Sequence, residues 1–166
     1  MDWVFGVLLF AHVLGAVLAF GPTFAFPFIG SLAGKEPQHL NFALRLQHRI
    51  AHGLVTPLAL VQGVTGLLLV WNRGFEMLTH IWLLAGIALY LVALGISFLV
   101  LYPALGVLIP ATSGPPPAPP AGGAPAGPPP HIVAVRDRAK LGGQINSVLI
   151  VVIVALMVLG ANGFLG

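Results

Sequence analysis

The chain has 166 residues, of which 58% are hydrophobic and 7% charged, and it carries a net charge of +3. A soluble domain has about 25% charged residues, so this chain lacks the polar surface that water demands, and a mean hydropathy of +1.00 makes lipid its natural solvent. The length excludes a second soluble domain and the small charge surplus excludes a nucleic-acid footprint. The absence of cysteine excludes disulfides, cysteine-held zinc, iron–sulfur clusters and covalently attached c-type haem.

Four apolar stretches follow one another: residues 3–28, 50–71, 78–102 and 145–165. Each has about 20 residues or more, the length a helix needs to cross a bilayer. The first lacks a basic leader and is too long for the core of a signal peptide, which predicts a retained span. The expected fold is all-α: an integral membrane bundle of four antiparallel transmembrane helices over about 3–28, 43–71, 78–102 and 143–165. From Leu40 the second helix is expected to begin outside the lipid, with Arg45, His48, Arg49 and His52 on one face. The third link, about 103–130, holds eleven of the fifteen prolines, and residues 114–130 are only Gly, Pro and Ala. That composition predicts an extended linker.

Orientation comes from the basic residues. Lys35, Arg45, Arg49, Arg136, Arg138 and Lys140 fall on one side, and Arg73 alone on the other. Cytoplasmic loops collect such charges, so the first and third links are expected in the cytoplasm and both termini outside, in a prokaryotic inner membrane. Trp3, Trp71 and Trp82 fall at the outer helix ends, as an interfacial belt would.

Polar side chains within apolar spans are costly and therefore informative. His12 lies about 12–14 Å into the first helix at 1.5 Å per residue, above a face of Gly15, Ala16 and Ala19. On the second helix His52, Thr56, Ala59, Gln62 or Gly63, and Gly66 form a small and polar stripe, with Gln62 level with His12. Pro57 removes one backbone bond there. Gly86, Tyr90, Ala93 and Ser97 share a face of the third helix. Gly143, Ser147, Ile150, Val154 and Ala161 share one on the fourth, with Met157 at its edge. No span contains Asp or Glu, which argues against carboxylate-coupled transport, and no broken-helix ion site is visible.

Two readings of this pattern compete. In one, small stripes pack helices and His12 bonds to Gln62 across the bundle. In the other, a b-type haem sits on the small face, with His12 on iron and Arg45 and Arg49 near the propionates. His52, His80 and Met157 are the candidate second ligands and Gln62 a pocket residue. Depth alone separates His12 from His52 by about 15 Å and from His80 by about 10 Å, so spacing does not impose a bis-histidine site and leaves open a five-coordinate haem, a His12/Met157 pair or two separate sites. If the chain is an enzyme, a bound cofactor performs the chemistry. The expected partners are the lipid bilayer, other membrane subunits or further copies of the chain.

The segments LLFAHVLGAVLAFGPTFAFPF, RLQHRIAHGLVTPLALVQGVTGLLLV and HIWLLAGIALYL resemble an uncharacterised bacterial family of predicted integral membrane proteins, a domain of unknown function. More distantly they are similar to HemJ-type protoporphyrinogen oxidases and to the membrane part of CopD copper-resistance proteins. The resemblance covers about the first 100 residues. It implies b-type haem, with His12 and His80 at the family's histidine positions. Trp82 stands where HemJ-type proteins carry lysine, which argues against oxidase activity. The CopD likeness implies copper handling.

Overall fold

The computed structural model describes residues 3–74, 80–114 and 127–165. It is all-helical, with four long helices: α1 (Trp3–Lys35), α2 (Pro37–Arg73), α3 (Ile81–Ala111) and α4 (Pro130–Ala161). All four are long and apolar enough to cross a membrane. Apolar side chains such as Val17, Leu99 and Val148 stand well out from the bundle. In water such a surface would aggregate; in lipid it is ordinary solvation.

The helix ends follow local chemistry. Between α1 and α2 the chain leaves helical geometry at Glu36 (φ −125°, ψ 74°), and Pro37 then starts a tight turn of helix leading into α2. Proline suits a first turn because its missing N–H has no partner there anyway. α2 stops at Gly74, whose φ of 64° favours a residue without a Cβ, and the Gly74 N–H donates to Trp71 O at 3.1 Å. α4 opens on Pro130. The Pro/Gly/Ala tract at 115–126 lies outside the described residues, as do 78 and 79, the expected start of the third span.

α3 differs from expectation by running on to Ala111, so residues 103–111, read from sequence as linker, are helix. The reason is local. Pro103 lacks the N–H that would bond one turn back, and the residues just before it, Ser97–Leu101, form a wider turn in which Tyr102 N–H reaches Ser97 O, five residues away. α2 uses the same device: Ala51–Val55 form a wide turn, Thr56 N–H bonds Ala51 O, and Pro57 follows. α1 tightens instead, into a 3-10 turn at Gly21–Ala25 containing Pro22. These three departures lie level with one another. Thr56 and the Tyr102 hydroxyl are hydrogen-bonded, and Thr23, Val55 and Ser97 line one cavity. Only α4 passes this level as an unbroken α-helix.

The helices associate in pairs. Along the α1–α2 seam Phe5 meets Arg73, His12 meets Thr65, Gly15 meets Gln62, and Phe26 O accepts from Gln47. Partners descend one helix as they ascend the other. Along the α3–α4 seam Gly160 receives the Trp82 ring, Gly86 receives the Met157 methyl, and Gly142 faces Val100 and Leu101. Two features differ from the sequence reading here. Trp82 is not in an interfacial belt: it is 7% exposed, because Gly160 leaves a flat seat for the indole. The buried face of α4 runs through Gly142, Ile150, Ile153 and Gly160, while Val154 and Ala161 face outward. The expected stripe is offset by about one residue.

Candidate functional site

The α1–α2 seam holds the most polar cluster at membrane depth. His12 is half-buried, and Gln62 and Thr65 are each 8% exposed. His12 Nδ1 lies 3.0 Å from Thr65 Oγ1, and His12 Nε2 lies 3.0 Å from Gln62 Nε2. The proton positions follow from Thr65. Its hydroxyl lies 2.9 Å from Val61 O and 3.1 Å from Gln62 O, and both of those can only accept. Its single proton goes to them, so Thr65 Oγ1 accepts from His12 Nδ1–H. His12 Nε2 is then a lone pair, and the Gln62 amide donates to it. The imidazole is neutral and both of its nitrogens are engaged by α2.

Glycines let the helices approach this closely. A Cβ on Gly15 would meet Gln62 Oε1 at 2.9 Å, and one on Gly66 would meet the His12 ring at 3.0 Å. The small face that sequence reserves for something flat is thus filled by α2 itself. Thr65, which completes the set, went unread in the sequence, although it lies three residues after Gln62 on the same helical face.

The remaining predicted residues do not gather around His12. Met157 lies in the other seam, over Gly86. His80 caps the start of α3, where its carbonyl accepts from Leu83 and Leu84 N–H, and its ring lies edge-on to Trp82 at 6.0 Å. His52 is thirteen residues from Thr65 along α2, about 20 Å at 1.5 Å per residue. It stacks on His48, with ring centroids 5.7 Å apart and planes within 7°, and the Tyr102 ring stands perpendicular to both. Arg45 and Arg49 are exposed. Tyr102 carried no signal in the sequence beyond preceding a proline. Among the described residues no group of three or more His, Asp or Glu could hold a metal ion.

The fit of a haem can be judged on this geometry. The donor chemistry suits iron: Nε2 carries the lone pair, and Nδ1–H is held by a neighbour, as metal-bound histidines usually are. The space does not suit it. α2 closes on the imidazole itself, with Gly66 and Gln62 against the ring, and the cavity that all four helices line, about 30 Å³, does not include His12. As packed, the residues do not fit a macrocycle.

Comparison with known proteins matches residues 6–160 to the family described as "Predicted integral membrane protein (DUF2269)". The match spans nearly the whole chain, and the chain belongs to this family. Among curated proteins and solved structures no match is found, so the likeness to HemJ-type and CopD proteins gains no support.

Proposed function

We propose, from membership of this membrane family, that the protein is a non-catalytic four-span subunit of a membrane assembly. Its intramembrane polar side chains hold its own helices together. The observation that carries this reading is the double engagement of His12 by Gln62 and Thr65, which leaves no free nitrogen for chemistry or ligation. The lack of any Asp or Glu within the apolar spans agrees with it. The basic asymmetry of the links supports a prokaryotic inner membrane with both termini outside.

A second reading keeps a b-type haem on His12, favoured by one observation: the tautomer fixed by Thr65 is the one that ligates through Nε2. It requires Gln62 to swing away and the α1–α2 seam to part. Native mass spectrometry and absorption spectra of protein from a haem-replete host distinguish the two. The subunit reading expects a colourless protein in a complex of fixed stoichiometry. A Soret band that shifts with dithionite and disappears in His12→Ala, on a protein that remains folded, sinks it in favour of haem. Orientation has its own test. A cysteine at Ser31 should be labelled only from inside and one at Gly74 only from outside, and the reverse pattern inverts the topology.

A further inference from the structure

The two seams leave one polar group on α4 without a role. Asn146 faces α3 at the level of the wide turns. Ser97 Oγ donates to Ala93 O at 2.9 Å, so its proton is committed and it can only accept from α4. That orients the Asn146 amide: Nδ2 points to Ser97 Oγ at 3.4 Å and Oδ1 points away. Oδ1 is shut off from the surface, and no donor among the described residues reaches it. An amide oxygen left in that state at membrane depth is costly.

Beside it lies the cavity of about 30 Å³, lined by Thr23 of α1, Val55 of α2, Tyr90 and Ser97 of α3, and Asn146 and Ile150 of α4. Its three hydroxyl residues have all committed their protons to backbone carbonyls. Thr23 donates to Phe20 O at 2.6 Å, Tyr90 to Ala59 O at 2.7 Å, and Ser97 to Ala93 O. What remains to them is lone pairs. The lining therefore offers acceptors and asks for a donor. A water needs about 10–15 Å³ and two to four polar partners, so the volume suits about two. A small cation would also satisfy acceptors, but no carboxylate stands in any apolar span to balance its charge.

We infer that this cavity is a water-binding site, in which a neutral donor bridges Asn146 Oδ1 to the hydroxyl oxygens of α1 and α3, at the level where α1, α2 and α3 depart from α-geometry. The inference is independent of whether His12 binds a cofactor. The full chain in lipid nanodiscs tests it. Water-edited solid-state NMR should show magnetisation passing from water to the Asn146 side-chain amide and to Thr23, although they lie deep in the bilayer; no transfer overturns the proposal. Asn146→Leu removes the acceptor at similar volume. The expected result is loss of transfer to Thr23 and a Tm lower by several degrees. A Tm that rises means that the oxygen was unpaired and its removal a relief, which also overturns it. The wild-type reading stands even if the variant does not fold. Thermal stability should not change when Na⁺ or NH₄⁺ is varied at constant ionic strength, and a saturable rise would assign the cavity to a cation instead.

Discussion

The two seams of this bundle solve one problem by different chemistry. In lipid, helices gain nothing by hiding apolar surface, so close packing and hydrogen bonds must hold them. The α1–α2 seam relies on polarity: one imidazole, one amide and one hydroxyl in a directional chain, with glycines opposite to bring the backbones near. The α3–α4 seam relies on shape, with an indole and a thioether seated on Gly160 and Gly86. A polar clasp fixes register because its donors must meet its acceptors. A knob on a glycine fixes distance, because no smaller residue exists. Tyr90, which donates from α3 to Ala59 O of α2, ties the two pairs together.

That contrast can be broken in order of severity. Gly160→Val should cost the most, about 3 kcal/mol, because its methyls meet a rigid indole that has nowhere to go. Unfolding in mixed micelles followed by Trp82 fluorescence measures it, and a loss below about 1 kcal/mol would mean that shape does not govern this seam. In the other seam His12→Leu should cost about 2 kcal/mol, since it leaves the Gln62 amide and the Thr65 hydroxyl oxygen without their partner. Adding Gln62→Leu should recover part of that loss, with a coupling of about 1 kcal/mol in a double-mutant cycle. Additive single effects would show that the clasp is not cooperative. Tyr90→Phe should cost least, about 1 kcal/mol, and should loosen the junction between pairs while leaving each seam intact. Cross-linking within α1–α2 and within α3–α4 would then be unchanged, and between pairs reduced.

Much of this was legible beforehand, for identifiable reasons. Apolar length reveals spans because lipid tolerates no other arrangement. The level position of His12 and Gln62 followed from 1.5 Å per residue, since a straight helix converts sequence number into depth. The α4 face was misplaced by about one residue because nearly every side chain there is apolar, so hydropathy does not separate the lipid side from the helix side. Trp82 was misread for a related reason: tryptophan suits both an interface and a glycine seat, and only the partner helix decides. Asn146 stayed invisible because its meaning depends on which way the Ser97 proton points. Pro57 signalled a lost backbone bond and Pro103 the start of the linker. Both sit after a widened turn that re-registers the backbone, a tertiary compromise that no window of residues displays.

α4 runs for 32 residues without a departure from α-geometry, a rod of about 48 Å at 1.5 Å per residue, while its three neighbours all change pitch at one level. Beams with joints in a common plane are compliant there, and a continuous member beside them acts as a splint. Flexing of α1, α2 and α3 would concentrate at that level, beside a helix that has no joint there. Thickening or thinning of the surrounding bilayer would be taken up mainly at the jointed plane, while α4 keeps its length and leans.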